Sequence, residues 1–183
     1  MIEVEVKAKI NDFNSIKKDL YTIGALESHT EHQEDIYFNS PIKDFAKSDE
    51  ALRIRKVTTK DSVETFITYK GPKIDDKSKT RKEVEVKIED PEKVADIFES
   101  LEFVKTSKVI KKRTIYNFEQ YIISLDDVVG LEPYMEIETD IEEGNDYKAE
   151  IDKIFELFKK LNISEGFERT SYLELLDIKR EKN

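Results

Sequence analysis

An alternating stretch near the N-terminus constrains the fold of this chain more than any other feature. In Glu3-Val4-Glu5-Val6-Lys7, charged residues occupy the odd positions and apolar residues the even ones. A period of two is typical of a β-strand, so the three charged side chains are expected on one face. The same five letters return at Glu83-Val84-Glu85-Val86-Lys87, and a further acidic pair follows at Glu136-Ile137-Glu138. The repetition indicates related strands with the same charged face.

Paired carboxylates on one strand face indicate a candidate cation site. Two residues apart on a strand, Glu3 and Glu5 would stand about 6–7 Å apart and point the same way. Such a pair can hold one or two divalent cations, with Lys7 beside it for an anionic ligand. The alternative is a half-buried strand whose charged face is solvated, which one short copy does not exclude. The repetition of the motif favours a site.

Composition excludes several classes of protein. The chain has 183 residues, of which 38% are hydrophobic and 39% charged, and this length is enough for one domain with a core. The formal net charge is −10, so a generic binder of nucleic acid or of an anionic membrane is not expected. Cysteine is absent, which removes disulfides, thiolate-bound metals and a cysteine nucleophile. With no long apolar run and no signal-like N-terminus, we expect a cytoplasmic protein.

Hydrophobic periodicity predicts eight strands and four helices. The strands are expected at about 2–9, 33–38, 51–56, 63–70, 81–88, 109–118, 121–128 and 134–139. The helices are expected at about 13–23, 91–101, 147–161 and 171–176. Gly71-Pro72 is expected to end the fourth strand. The polar composition of residues 73–79 predicts a flexible loop.

The order of these elements predicts a duplication inside one domain that spans 1–183. A strand–helix–strand–strand–strand unit occurs over about 1–72 and again over about 81–139, followed by helices within 147–176. Two four-stranded halves are enough to close a small barrel.

Nearly every predicted strand has one charged and one apolar face. The amphipathic helices need the apolar faces, which leaves the charged faces either in bulk solvent or lining a closed, wet tunnel. The pattern alone leaves both alternatives open. In a tunnel, clustered like charges cost free energy unless a ligand compensates them, so they would mark a site. Carboxylates suit hard cations, and lysine and arginine suit phosphate oxygens.

A series of short motifs follows in a fixed order along nearly the whole chain. They are Glu3-Val4-Glu5-Val6-Lys7; Gln33, Asp35, Tyr37 and Phe38; Leu52-Arg53-Ile54-Arg55; Tyr69-Lys70-Gly71-Pro72; Arg81, Glu83 and Glu85; Lys111 and Arg113; Leu125-Asp126-Asp127-Val128; Glu136-Ile137-Glu138; and Ser171, Tyr172 and Glu174. In order and spacing this set resembles the CYTH superfamily, which unites CyaB-type class IV adenylyl cyclases, thiamine triphosphatases and inorganic triphosphatases. The resemblance implies an α+β fold, an eight-stranded antiparallel β-barrel that forms a triphosphate tunnel with helices packed outside.

The resemblance also implies roles for the charged residues. The triphosphate would be held by Lys7, Arg53, Arg55, Lys70, Arg81, Lys111 and Arg113. Mg²⁺ or Mn²⁺ would be held by Glu3, Glu5, Asp126, Glu136 and Glu138, with Glu83 and Glu85 in support. Catalysis would centre on Glu3, Glu5 and Lys7. Two metal ions are compatible with this set, one on the phosphate chain and one at the attacking oxygen.

Two reactions fit such a tunnel. In hydrolysis, a metal-activated water attacks the terminal phosphorus. In cyclisation, the ribose 3′-hydroxyl of ATP attacks the α-phosphorus, giving cyclic AMP and pyrophosphate. Because no base-reading motif stands out, we predict hydrolysis of ATP, thiamine triphosphate or tripolyphosphate ahead of a CyaB-type cyclase. A non-catalytic module that binds triphosphate or polyphosphate is a third alternative, disfavoured by the full carboxylate set. Edge strands and helices leave room for a homodimer.

Overall fold

Eight strands close into one antiparallel barrel in the computed structural model of this protein, which describes residues 2–182. The strands are β1 (Ile2–Lys9), β2 (Leu26–Asn39), β3 (Ala51–Thr58), β4 (Val63–Lys73), β5 (Arg81–Ile88), β6 (Val104–Phe118), β7 (Tyr121–Val128) and β8 (Tyr134–Ile141). Outside the barrel lie α1 (Phe13–Ile23), α2 (Pro91–Ser100), α3 (Tyr147–Lys160) and α4 (Tyr172–Glu181). The predicted eight-stranded barrel is confirmed.

The order of strands around the barrel shows where the two predicted repeats lie. It runs β1-β5-β4-β3-β2-β6-β7-β8, and β8 returns to β1. Exchanging β1–β4 with β5–β8 leaves this cyclic order unchanged, as expected for two copies of one unit. The copies meet at β1 and β5, through the pairs Ile2–Lys82 and Glu3–Arg81, and along the much longer ladder of β2 with β6. Both copies of the alternating motif therefore lie on neighbouring strands.

The two faces of β1 are both buried, but against different surroundings. Its odd-numbered side chains point into the barrel, and its even-numbered ones form an apolar core with α1 and α3, which contains Val4, Val6, Ala8, Ile16, Leu20, Ile154 and Phe158. A second apolar cluster lies under α2 and contains Phe38, Leu52, Ile54 and Phe98. The helices thus cover apolar strand faces, and the charged faces line an interior. This outcome decides between the two arrangements that the sequence left open.

Local signals explain why α1 begins and ends where predicted. The Asp12 carboxylate accepts from the backbone N–H groups of Asn14 at 2.8 Å and Ser15 at 3.0 Å, which satisfies donors that the first helical turn leaves free. Gly24 ends the helix with φ of 86°, a left-handed conformation that glycine adopts without strain.

The strands β2, β4 and β6 extend furthest beyond their predicted bounds, whereas β3 and β8 are only slightly longer than predicted. The strands β2 and β6 begin at Leu26 and Val104 because each extends along the other, although their outer segments are polar. The strand β4 continues through Gly71-Pro72 to Lys73. Proline is tolerated there because the ladder with β3 has ended at Lys70 and the register with β5 shifts between Lys70 and Lys73. The expected stop at Gly71-Pro72 is wrong.

The C-terminal helix also differs from its prediction. The sequence pattern predicts a short helix over 171–176, whereas the helix extends over Tyr172–Glu181. A capping box starts it, in which the Ser171 side chain accepts from the N–H of Glu174 while the Glu174 carboxylate accepts from the N–H of Ser171. None of the helices within 2–182 has the length and apolarity needed to cross a membrane.

The segment predicted as a flexible polar loop is held in place. Its last residue, Lys79, is buried, as are Ser78 and Thr80. The backbone N–H of Lys79 donates to the Glu5 carbonyl at 2.8 Å, and the Arg169 guanidinium donates to the Ser78 carbonyl at 3.0 Å. Polar composition misled the prediction because the polar groups have partners inside the protein rather than in water.

Candidate active site

The inward faces of the strands line a cavity of about 320 Å³. Basic side chains reach it from β3, β4, β5, β6 and the loop before β5, namely Arg53, Arg55, Lys70, Lys73, Lys79, Arg81, Lys111 and Arg113. Carboxylates line the same cavity, among them Glu3, Glu5, Asp35, Glu83, Glu85, Glu136 and Glu138. The structure thus brings the predicted phosphate-binding residues together, apart from Lys7, which is described below.

Three carboxylates of β1 and β8 form a candidate cation site. Glu3, Glu5 and Glu138 each offer an oxygen, and these atoms lie within 4.8 Å of one another. The register between the strands explains this, since Glu5 pairs with Glu138. Oxygen ligands of this kind suit Mg²⁺ or Mn²⁺.

The electrostatics of this carboxylate triad also favour a cation. Burial, reinforced by the nearby Glu3, raises the pKa of Glu138 to about 8. Burial and the proximity of Glu136 raise the pKa of Glu5. A bound divalent cation would relieve both effects because it stabilises the ionised carboxylates. The residues present therefore fit the metal that the family resemblance implies.

The Asp126 carboxylate lies apart from the triad and orients basic side chains. It is 0% exposed. The Arg113 guanidinium donates to it through Nε at 2.7 Å, the Tyr172 hydroxyl donates at 2.8 Å, and the Lys111 ammonium lies 3.4 Å away. Burial alone would raise the pKa of Asp126, but Arg113 and Lys111 outweigh it and hold the pKa below its usual range. The predicted metal-binding role of Asp126 stays a prediction.

Glu136 is likewise occupied by cations. The Lys79 ammonium lies 3.0 Å from its Oε1, and the Arg113 guanidinium donates to its Oε2. These partners outweigh burial and hold the pKa of Glu136 well below its usual range. Lys79 was given no role from the sequence. It shares its odd-numbered parity with Arg81 and Glu83, but so does the exposed Lys77, and periodicity could not separate the two lysines.

Asp35 holds the two arginines of β3. Arg55 donates to both oxygens of the Asp35 carboxylate at 2.7 Å, and Arg53 donates to one of them at 3.4 Å. Asp35 pairs with Arg55 across β2 and β3. Burial alone would raise the pKa of Asp35, but the arginines outweigh it and lower that pKa. Asp35 belongs to a motif quoted above, yet the sequence assigned it no function.

The two carboxylates predicted to act in support do contact tunnel residues. The Lys70 ammonium lies 2.8 Å from Glu3 and 2.5 Å from Glu83. Glu85 accepts from the Thr68 hydroxyl at 2.7 Å. Cross-strand pairing of Lys70 with Glu83 and of Thr68 with Glu85 positions both contacts.

Lys7 lies beside the cavity rather than in its lining. It is 1% exposed, its ammonium donates to the Thr170 carbonyl, and it packs 4.2 Å from the Tyr172 ring centroid and 5.3 Å from that of Tyr134. Burial, with repulsion from Lys79, lowers the pKa of Lys7 to about 7. Its predicted catalytic and phosphate-binding roles stay predictions, since Tyr172 and not Lys7 meets the cavity.

Arg81 is placed to support the loop before β5. Its guanidinium donates to the backbone carbonyls of Gly71 and Lys79, each at 3.4 Å. The side chain still lines the cavity, so a contact with phosphate stays a prediction.

Comparison with known proteins supplies the family. The model of the CYTH domain matches residues 1–172. The chain belongs to the CYTH family. A curated protein of Methanocaldococcus jannaschii, provisionally named an adenylate cyclase, is 46% identical over 176 residues, which are 96% of this chain and 98% of that protein. The resemblance seen in the motifs is therefore confirmed.

Solved structures share the fold of this CYTH chain. The Pyrococcus horikoshii protein PH1819 is 43% identical with a TM-score of 0.90, over 97% of this chain and 99% of that one. A Hippeastrum protein, described as a candidate adenylyl cyclase with a dominant triphosphatase activity, has a TM-score of 0.69 at 19% identity, over 97% of this chain and 96% of that one. At that identity the likeness shows the fold alone. Family membership and the charged tunnel support an enzyme that acts on triphosphates.

Proposed function

We propose that this CYTH protein is a divalent-cation-dependent enzyme that hydrolyses an organic or inorganic triphosphate in the tunnel. The observation that carries the proposal is that one cavity is lined both by clustered lysines and arginines and by the carboxylate triad of Glu3, Glu5 and Glu138. A bare polyanion would be repelled by the carboxylates, and a bare cation by the basic residues. A complex of a divalent cation with a polyphosphate satisfies both sets.

Hydrolysis of a triphosphate depends mainly on positioning and on neutralising negative charge in the transition state. In this proposal Arg53, Arg55 and Arg113 would contact phosphate oxygens, and Asp35 and Asp126 hold them in place beforehand. Lys111 would add a cation, and burial with repulsion from Arg113 lowers its pKa to about 8, so a phosphate would favour its charged form. When bound at the triad, Mg²⁺ or Mn²⁺ would neutralise phosphate charge and activate water.

Cyclisation of ATP is the second candidate. Two observations favour it, the name of the Methanocaldococcus relative and the apolar side chains of Tyr37, Phe45 and Leu173 in the cavity lining. These side chains offer a surface for the organic part of a substrate. The reaction would use the same basic residues, but attack would come from the 3′-hydroxyl, and pyrophosphate would leave.

A product assay separates these candidates. Purified protein would receive ATP, thiamine triphosphate or tripolyphosphate with Mg²⁺ and then with Mn²⁺, and the products would be resolved by chromatography. Orthophosphate without a cyclic product supports the triphosphatase. Cyclic AMP with pyrophosphate overturns hydrolysis in favour of the cyclase, and no product from folded protein would leave a binding module.

Variants of two glutamates connect the activity to the tunnel. Glu3→Gln removes one carboxylate of the triad and is expected to abolish turnover while triphosphate binding remains. Glu156→Gln is the matched control, because Glu156 is exposed on α3, where it pairs with Lys159, and its turnover should equal that of the wild type.

A further inference from the structure

The strand pattern predicts no role for Lys79, yet the structure places its ammonium between the carboxylates of Glu5 and Glu136. It is 8% exposed. Its ammonium donates to Oε1 of Glu5 and to Oε1 of Glu136, the latter at 3.0 Å. Glu5 lies on β1 and Glu136 on β8, so a cation from a loop bridges two neighbouring strands.

The position of Lys79 is determined by its backbone as well as by its charge. Its N–H donates at 2.8 Å to the carbonyl of Glu5, the residue whose carboxylate its ammonium also contacts. The Arg169 guanidinium donates hydrogen bonds to the backbone carbonyls of Ser78 and Asp75. The Asp75 carboxylate in turn accepts from the N–H of Ser78 at 2.9 Å. The ammonium therefore cannot leave the two carboxylates by movement of a free loop.

The Lys79 ammonium lies between carboxylates of two adjacent strands, an arrangement in which a divalent cation could also be held. Two-metal sites hold their ions about 3.5–4 Å apart and commonly need carboxylates near both. Here Glu5 belongs both to the triad and to the Lys79 pair. Glu136 is shared by Lys79 and Arg113, and Asp126 is held by Arg113 and Tyr172. The carboxylates outside the triad that were predicted to bind metal are thus already neutralised by the protein.

We propose that the Lys79 ammonium permanently fills the place of a second divalent cation, so that the tunnel binds one such ion, at Glu3, Glu5 and Glu138. The proposed function gives this inference its catalytic meaning, because the chemistry would then rest on one metal ion and one fixed ammonium. An ammonium supplied by the chain is present at every metal concentration.

The test counts Mn²⁺ ions bound to substrate-free protein, by calorimetry and by the electron paramagnetic resonance of free Mn²⁺. The wild type is expected to bind one ion per chain. Lys79→Met, which keeps the length of the side chain and removes its charge, is expected to bind two. Lys77→Met is the matched control, since Lys77 lies on the same loop and is exposed, and it should bind one. A wild type that binds two ions or none, or a folded Lys79→Met protein that still binds one, overturns the proposal.

Two further variants locate the extra ion and protect the test against misfolding. Adding Glu136→Gln to Lys79→Met should return the count to one, because the second ion would need Glu136. If Lys79→Met does not fold, as judged by circular dichroism, Glu136→Gln alone decides. The proposal requires that it still bind one ion, and a lost ion would place Glu136 in the occupied site and contradict it. Failure of the product assay would remove the proposed function but leave this ion count unaffected.

Discussion

Several charged residues in the tunnel are buried beside an opposite charge. Arg113 with Asp126 and Lys79 with Glu136 are examples. Removing charges from water costs several kcal/mol per ion, and only close, well-oriented partners offset this cost. Glu138 differs from these pairs, because burial and Glu3 raise its pKa while Arg113 offsets them only in part.

The affinity for Mn²⁺ is expected to rise with pH up to about 8, because Glu138 must lose its proton before it can bind the ion. One released proton corresponds to about tenfold in affinity per pH unit below the pKa. Without metal, the ionisation of Glu138 makes the folded protein less stable as pH rises, the opposite direction to the metal affinity. The protonated form is favoured in the folded state, so this group's contribution to the free energy of unfolding is complete below pH 4.5 and is lost as pH rises through about 8.

Calorimetric titrations with Mn²⁺ over a pH series that brackets 8 would measure this dependence. Glu138→Gln should bind more weakly and with a flatter profile, while Glu156→Gln should follow the wild type. An affinity that does not change with pH in the wild type would show that Glu138 is already ionised.

Tyr172 joins the C-terminal helix to the buried charges. In Tyr172→Phe the hydroxyl that donates to Asp126 at 2.8 Å is lost, while the ring stays beside the Lys7 and Lys111 ammonium groups. The expected loss is about 1.5–3 kcal/mol in the free energy of unfolding, the usual contribution of a hydrogen bond to a charged group. Urea denaturation measures it. Tyr21→Phe, at a residue 84% exposed, should change nothing, and equal losses for both variants would contradict the assignment.

Among the elements, the connection from β4 to β5 depends on a residue distant in sequence. Arg169 lies between α3 and α4 and holds the carbonyls of Asp75 and Ser78. Charged hydrogen bonds contribute about 1.5–3 kcal/mol, so Arg169→Met should raise the open fraction of the loop by roughly ten- to a hundredfold.

Limited trypsin digestion would follow this opening as cleavage after Lys77. Arg180→Met serves as the control, because Arg180 is exposed on α4 and pairs with Asp177. If both variants are cleaved at the wild-type rate, Arg169 does not hold the loop.

The outer face of β5 shows where strand patterning overestimates burial. Val84 and Val86 alternate with charged residues as in β1, yet they are 49% and 55% exposed, whereas Val4 and Val6 lie in the core. The two strands share the same five-letter sequence. The apolar residues of β1 pack with α1 and α3, whereas none of the apolar clusters of the described chain includes Val84 or Val86. Identical local sequence therefore does not ensure identical burial.

At the scale of the whole molecule, the net charge is −10, yet a polyanion entering the tunnel is affected mainly by the basic residues close to it. Charges on the outer surface are screened within about 8–10 Å at physiological salt, while those in the barrel interior are screened less. A polyanion can therefore bind inside a protein that is acidic overall, and the binding energy should appear as added stability of the closed barrel.

Tripolyphosphate with Mg²⁺ is expected to raise the melting temperature. At roughly a hundred times the Kd, one bound ligand adds about 2.7 kcal/mol, which for a chain of this size corresponds to about 5–11 °C. Scanning fluorimetry measures the shift. Arg55→Met should reduce it, whereas Lys56→Met, which removes the exposed neighbour on the opposite face of β3, should preserve it. Equal shifts in the two variants would place the ligand outside the tunnel.

Local features of the sequence by themselves determined much of this protein. The period of two predicted the bounds of β1, β5 and β7 as the structure has them, and cap residues did the same for α1. Alternation also placed the predicted arginines and glutamates on the inward faces, where they line the cavity. These predictions succeeded because backbone geometry alone sets which side chains share a strand face.

Only the tertiary structure decided which charges meet. Lys79 lies 74 positions from Glu5, and the Lys7 ammonium contacts a carbonyl 163 positions away. No periodicity relates such pairs. Barrel closure and the folded-back loop bring them together, and the close pairing of opposite charges then offsets much of the cost of burying them.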